Sequence, residues 1–404
     1  MVLKFKKVGV NMSVELTRGQ LLATSLGEAW FRSGTDQLFV IEGYPGTGKT
    51  FLVLHLIEQL GLEMDQVLFL TYMGKAANQL SKHGLPAKTI DSAIYNYSQV
   101  PVKDECGNPI FTESGRVKKE WIKERKDHLK KGIELIVIDE HRMVDVKRGE
   151  DIMSYGIPVI ALGDKNQLDP PFGRPFIDRD PDVTLTEIMR QNQDSPIVYL
   201  SQKIIHREEL KPGVYGNCSV IKRDMLEAYQ LKQADIVITQ TNRLRFRLNN
   251  MFRQYFKQYE ELGRLHLGEK VICKRNNWKE KVDKFYLTNG TVGTIYDIDN
   301  SSMDGKNVVI DFQADFLKHP YKKLKIDYPR LFQSPDEIQE NGSPYIPGID
   351  LFEFAYAITT YSSQGSEWDK VICFDERIGD KEMQTKLLFT AVTRARESVT
   401  IVLP

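Results

Sequence analysis

Short, nearly continuous apolar runs recur along the chain and alternate with stretches whose apolar positions return every three or four residues. Leu38 to Glu42 (LFVIE) is one such run, ending in Gly43, and Phe51 to Leu60 behind it has helical spacing. Similar runs stand at Val67 to Leu70, Leu135 to Ile138, Val159 to Leu162, Ile236 to Ile238, Ala355 to Ile358, Val371 to Phe374 and Val399 to Leu403. A strand without polar alternation is covered on both faces. Strands of this kind alternating with helices predict an α/β fold with parallel sheets.

Two regions break the rhythm. Residues 88–131 are polar and turn-rich, with Gly107-Asn108-Pro109 between two β-prone stretches, which predicts an inserted hairpin followed by a charged helix around Trp121 to Lys131. Residues 268–348 carry strand-like pieces at Lys270 to Lys274, Gly290 to Ile298 and Asn307 to Phe312 between Asn, Asp, Ser and Gly turns. They predict a small β-barrel inserted into the second α/β unit.

The 404 residues exceed what one core usually organises, so two or more domains are expected. With 41% hydrophobic and 27% charged residues, the composition is that of a compact globular chain. The formal net charge is zero, so affinity for a polyanion must come from a local groove. Met1 to Val10 holds basic residues but no signal-peptide core, and no stretch approaches a membrane span; the expectation is a cytoplasmic protein with no membrane partner. The four cysteines form no CxxC pair, which argues against zinc and disulfide frameworks and marks Cys273 and Cys373 as buried strand thiols.

The chemistry begins at Gly43-Tyr44-Pro45-Gly46-Thr47-Gly48-Lys49-Thr50, a full GxxxxGK[ST] between a predicted strand and a predicted helix. Glycines let backbone amides face phosphates, and the helix N-terminus adds a favourable dipole. Lys49 is expected to pair with the β and γ phosphates of ATP, and Thr50 to place its hydroxyl on Mg²⁺. Ile136-Val137-Ile138-Asp139-Glu140 is an apolar strand ending in two carboxylates. Asp139 would hold Mg²⁺ through water, and Glu140 would orient or deprotonate the attacking water.

With Leu162-Gly163-Asp164-Lys165-Asn166-Gln167-Leu168-Asp169-Pro170 the series resembles a superfamily 1 helicase, in particular the RecD and phage Dda branch. The resemblance starts at Leu16-Thr17-Arg18-Gly19-Gln20, similar to the family's Q motif, and implies that the Gln20 amide reads the adenine edge. Phe69 to Ala77 resembles a segment that touches the DNA backbone, with Thr71, Tyr72 and Lys75 as contacts. Lys88-Thr89-Ile90-Asp91-Ser92 resembles a second, centred on Thr89; Asp91 stands where relatives show His. Gln167 matches the glutamine that senses the γ-phosphate, and Arg190 in Leu185 to Gln191 the arginine that reaches it.

In the second half, Thr241-Asn242 looks like a further backbone contact. Ala357 to Glu367 resembles T-x-H-K-S-Q-G-x-E, with Thr359, Ser363 and Gln364 toward nucleic acid and Glu367 toward the ribose hydroxyls; Tyr361 and Ser362 replace the usual His and Lys. Phe389 to Arg396 is nearly the full motif that carries an arginine finger, assigned to Arg394, with Arg396 also at the nucleotide. The motifs run in family order from about Leu16 to Arg396.

The resemblance implies two RecA-like P-loop domains: residues 1–190 with a hairpin inserted at about 88–131, and 191–267 with 351–404, interrupted by an SH3-like β domain at 268–350. It further implies an ATP-dependent DNA helicase moving 5′ to 3′, monomeric, acting on single-stranded DNA and forked duplex, with a single-strand-binding or replication protein as a further partner. The residue 95–116 hairpin would separate strands. Competing readings are a translocase that displaces proteins with little unwinding, a phage packaging ATPase and a non-enzymatic ATP switch. The packaging motor is disfavoured by Gln364-Gly365 and Thr393 to Arg396.

Overall fold

A computed structural model of the chain describes residues 16–104, 106–111, 117–187, 195–257, 261–303, 305–342 and 346–404. Helix α1 (Arg18–Ser33) opens on a reciprocal cap, Thr17 Oγ1 accepting from the Gln20 amide and the Gln20 side chain accepting from Thr17 N, and stops at left-handed Gly34. Strand β1 (Leu38–Gly43) then leads into α2 (Lys49–Gln59), and β2 (Val67–Thr71) into α3 (Gly74–Lys82). The two-residue β3 (Lys88–Thr89) and α4 (Ile90–Ile94) precede a hairpin of β4 (Tyr95–Pro101) and β5 (Lys119–Arg125). The first sheet resumes with β6 (Leu135–Asp139), followed by α5 (Val146–Met153), β7 (Val159–Gly163) and β8 (Val183–Leu185).

Its order is β3-β2-β6-β7-β1-β8, parallel throughout, with α-helices in the connections except the one from β7 to β8. Val159 to Gly163 is buried at every position, which is why the sequence shows an unbroken apolar run there.

The second half starts with α6 (Pro196–Ile205), β9 (Gly213–Tyr215), β10 (Cys218–Lys222), α7 (Ala228–Gln233), β11 (Ile236–Thr239) and α8 (Asn242–Met251). Next come five strands, β12 (Lys270–Cys273), β13 (Asn277–Val282), β14 (Phe285–Leu287), β15 (Val292–Asp299) and β16 (Asn307–Ala314). They are followed by β17 (Tyr321–Asp327), α9 (Pro335–Asn341), β18 (Phe352–Phe354), β19 (Ala357–Thr359), α10 (Thr360–Ser363), β20 (Trp368–Phe374), α11 (Lys381–Val392) and β21 (Ala395–Leu403).

Strands β19-β11-β20-β21-β10-β9 form a second six-stranded sheet, parallel except for β9. Between its parts lies a five-stranded antiparallel sheet, β17-β16-β15-β12-β18, with its own core around Phe312, Tyr321 and Phe352. Ile272 and Val292 of this sheet also enter the core of the second α/β unit. Among the described residues no helix is long and apolar enough to cross a membrane. Cys273 and Cys373 are buried strand thiols, the former pushed up to about 12 by its burial.

Two expectations need correction, and one hairpin was not foreseen. Residues 119–125 form a strand rather than the start of a charged helix: each residue from Tyr95 to Pro101 pairs with one from Lys119 to Arg125, and this ladder overrides the helix preference of Lys, Glu and Arg. The Ala355 to Ile358 run is not one strand, because the chain passes at Ala355-Tyr356 from β18 in the antiparallel sheet to β19 in the parallel one. Strands β13 and β14 form a separate hairpin that no periodicity marked.

Loop and helix are tightly registered in the first unit. Val146 N donates to Arg174 O and Phe176 N to Val144 O, which fixes Phe176 over α5, and a Cβ at Gly149 would stand 1.9 Å from Phe176 Cγ. Alanine in a helix interior ordinarily stabilises by up to about 1 kcal/mol over glycine. Here Gly149→Ala is expected to destabilise by about 1–3 kcal/mol through overpacking. A urea or thermal midpoint that stays level or rises in that variant would show that Phe176 can move aside.

Candidate nucleotide and nucleic-acid site

The loop after β1 is shaped by its glycines. Gly46 and Gly48 have φ of 83° and 78°, and at Gly48 a Cβ would lie 2.7 Å from Gln20 Nε2, so only glycine suits the position. Gln20 is buried; its Oε1 accepts from Thr17 N and its Nε2 donates to Thr47 O at 3.1 Å. Both ends of the amide are thus engaged within the chain. The residue braces the loop from behind.

Lys49 Nζ donates to Gly43 O at 2.6 Å and to Tyr44 O at 3.1 Å. Burial pulls its ammonium down, while Asp164, Asp139, Glu140 and Glu42 push it back up. Asp139 closes β6 and accepts from Glu140 N at 3.0 Å; burial raises its carboxyl, and Lys49 counteracts. Glu140 is held at φ 55°, a strained conformation for a residue with a side chain, and its Oε2 is buried without a hydrogen-bond partner. Desolvation and the neighbouring Asp139 raise it to about 7, against Arg394, Lys49 and Lys75.

Asp164, just past β7, keeps Oδ1 on the Asn166 backbone and side chain, both at 3.0 Å, and leaves Oδ2 buried and unpartnered. These carboxylate oxygens suit a hard cation such as Mg²⁺, which binds through one or two carboxylates and substrate phosphates. Among the described residues no group of three metal-ligating side chains forms a cage of its own.

One cleft of about 1530 Å³ joins both halves. Pro45, Gly46, Gly48, Lys49, Thr50, Asp139, Glu140 and Gln167 line it from the first, and Gln364, Glu367, Arg394 and Arg396 from the second. Arg394 is buried, its Nε on Thr390 O at 3.0 Å and its Nη2 on Thr393 Oγ1 at 3.1 Å. Arg396 pairs with Asp369 at 2.8 Å. Arg190 lies outside the described residues.

The residues expected at nucleic acid fall into two groups. Thr89, Thr241 and Thr359 each cap the helix that follows a strand, accepting from Ser92 N, Leu244 N and Ser362 N at 3.2–3.3 Å. Thr71 donates to Met73 O just before α3. The strands involved, β2 and β3 in one sheet and β11 and β19 in the other, are neighbours at one side of each sheet, so the C-terminal ends of each pair present two neighbouring helix N-termini. Asn242 lies at the start of α8, its Oδ1 accepting from Arg245 Nε. Tyr72 is half-buried with Arg148 over its ring, 5.4 Å from the centroid.

Lys75, Ser363 and Gln364 form the other group and point inward. Ser363 is fully buried on Thr360 O, Gln364 Nε2 lies 3.2 Å from Met143 Sδ, and Lys75 lines the cleft. Asp91 accepts from Lys123 at 3.0 Å and from Arg148 at 2.8 and 3.1 Å, clamping the β4-β5 hairpin to α5. Burial raises this carboxyl, but the two cations win and hold it below its usual value.

Two contacts across the halves escaped the sequence. Asp169 accepts from Arg142 and from Lys386 of α11, each at 2.5 Å, and Tyr44 meets Phe389 edge-on at 6.4 Å between ring centroids. Asp169 and Lys386 are 217 positions apart, and no local pattern links them.

Residues 25–211 match a family described as an AAA domain, and residues 354–402 one described as a UvrD-like helicase C-terminal domain. An ATP-dependent RecD2 DNA helicase of Deinococcus radiodurans is 24% identical over 89% of this chain and 46% of its own length. An uncharacterized protein of Methanocaldococcus jannaschii is 23% identical over 91% of this chain and 36% of its own. The chain therefore spans half or less of these relatives. Among solved structures, two coordinating Pif1 helicases at forked double-stranded DNA (TM-score 0.56, 19% identity) and Bacteroides Pif1 bound to single-stranded DNA (0.55, 16%) share the fold. Each likeness covers 96% of this chain and 92% of the other.

Removing the brace behind the loop tests the geometry. Gln20→Ala is expected to raise KM for ATP about tenfold, equivalent to about 1.4 kcal/mol, with kcat changed less. An unchanged KM in steady-state ATPase assays would mean that the glycines alone hold the loop.

Proposed function

We propose, on the premise that this chain belongs to the RecD- and Pif1-like helicases of superfamily 1, that it is an ATP-driven motor on single-stranded DNA that opens forked duplex. The observation that carries the reading is the single cleft shared by Lys49 and Arg394. A guanidinium delivered from a second domain stabilises charge on a transferring phosphoryl group, worth roughly 10³ to 10⁵ in rate in comparable NTPases. Hydrolysis then requires the two halves to meet.

In this reading Lys49 holds the β and γ phosphates, Glu140 orients the attacking water and takes its proton, Gln167 senses the γ-phosphate, and Arg190 and Arg394 neutralise it. Thr50 and Asp139 would hold Mg²⁺, which supplies charge neutralisation at the phosphates. Glu367 and Arg396, at the rim of the cleft, suit the sugar and the outer phosphates. The four helix N-termini at the ends of β2, β3, β11 and β19 form the track for DNA phosphates, reading the backbone and not the bases.

The domain limits are 1–190, 191–267 with 351–404, and an SH3-like module at 268–350; the β4-β5 hairpin, clamped through Asp91, separates strands. Movement 5′ to 3′, a monomeric state, cytoplasmic location and a single-strand-binding or replication partner complete the proposal. ATP binding draws the halves together and hydrolysis releases them, so that alternate grips on the strand become directed steps.

Lys49→Ala is expected to abolish DNA-stimulated ATPase, and Arg394→Ala to lower turnover at least a thousandfold while leaving ATP binding within a few fold. Equal ATPase rates with and without single-stranded DNA would exclude the motor. Rates on poly-dT well above those on poly-U are expected. Release of streptavidin from biotinylated strands without opening of a forked duplex would instead mark a translocase.

A further inference from the structure

Lys75 has no part in the scheme above, and its surroundings are unusual for a lysine. It is the second residue of α3 and only 7% exposed, and its Nζ is buried without a hydrogen-bond acceptor. Three parts of the fold enclose it. Gly74 before it is pressed on the loop between β14 and β15 of the inserted region, where a Cβ would stand 2.7 Å from Thr288 Cβ, and Gly290 of the same loop approaches so closely that a Cβ there would lie 3.4 Å from Lys75 Cδ. From the second α/β unit the Trp368 ring centroid lies 5.3 Å from Nζ, and Gly365 covers Ala76. The residue lines the cleft that Lys49, Glu140, Gln167 and Arg394 also line.

The charged groups facing it are mixed: Asp315 and Glu140 favour its charge, Lys82 and Arg394 oppose it, and burial outweighs them all, bringing the group down to about 7. A buried ammonium without an acceptor is costly, and the cost disappears when a ligand brings anionic oxygen to it. Its position at the N-terminal end of a nine-residue helix adds amide dipoles of the same sign.

We propose that Lys75 is a further cation of the nucleotide site, supplied by α3, and that its ammonium binds the terminal phosphate of ATP. The inference rests on the ATP-site reading above. A DNA phosphate has the same chemistry, and the family resemblance assigned Lys75 to DNA. The geometry favours the nucleotide, because Trp368 and Gly290 pack on the side chain and the cleft that Lys75 lines is the one that holds Lys49 and Arg394. Terminal phosphate at this point would touch the first unit, the inserted sheet and the second unit at once.

The test compares the full chain with Lys75→Met and Lys75→Arg in equilibrium binding of ATPγS, of ADP, and of fluorescent oligo-dT without nucleotide. Lys75→Met is expected to weaken ATPγS at least tenfold, ADP less than twofold and oligo-dT less than twofold, with Lys75→Arg recovering part of the ATPγS affinity. Equal losses for ADP and ATPγS would reduce Lys75 to a packing role. Loss of oligo-dT with ATPγS intact would assign it to DNA, and no loss in any arm would remove it from both sites; each result overturns the proposal. Wild-type chain that binds no ATPγS would overturn the nucleotide reading itself, whereas normal wild-type binding matched by the variants sinks this inference alone. If Lys75→Met does not fold, Lys75→Gln reads the same ratio of ATPγS to ADP.

Discussion

Desolvated charge in the cleft is the constraint on which the rest of the structure depends. Glu42, Asp139, Glu140 and Asp164 all act on one ammonium, Lys49, in surroundings where like charges repel strongly. One cation cannot balance four carboxylates. Arg394 and Lys75 add positive charge at Glu140, and Arg394 comes from the opposite half of the chain. The electrostatic balance at these strand ends therefore draws on both α/β units, and Glu140 sits among these charges in a left-handed backbone conformation. Anionic phosphates with a divalent cation fit a site that carries excess charge of both signs at close quarters.

The contact between the halves extends beyond that cleft. Asp169 joins Arg142 to Lys386, and Met143, Leu168 and Leu387 form a small apolar cluster beside it, with Tyr72 and Tyr361 packed against it. Gln167 stands two residues before Asp169 in the same loop. A shift of this loop near Gln167 would displace the ion pair that reaches α11, so the loop is a physical connection between the cleft and the contact of the two halves.

Much of the architecture was legible because parallel strands buried on both faces write unbroken apolar runs. Leu135 to Ile138, Val159 to Leu162 and Val371 to Phe374 all lie in the parallel sheets. Legibility failed where a strand owes its state to its partner. Residues 119–125 carry helix-forming Lys, Glu and Arg and become a strand through pairing with residues 95–101. It failed also at Ala355-Tyr356, where the apolar run continues although the sheet changes. The phosphate loop could be read because its glycines serve local backbone needs. The inward turn of Lys75, the ion pairs of Asp91 and the internal use of Gln20 depend on neighbours distant in sequence, and no spacing rule reports them.

The change of sheet at Ala355-Tyr356 has a mechanical meaning. Strand β18 belongs to the inserted sheet, β19 to the parallel one, and β19 runs directly into the Thr359 cap and α10. Only Ala355 and Tyr356, the latter stacked on Phe252 at 5.5 Å, separate the inserted sheet from β19. A displacement of the inserted sheet is therefore passed directly to the backbone that carries α10, with no linker between them.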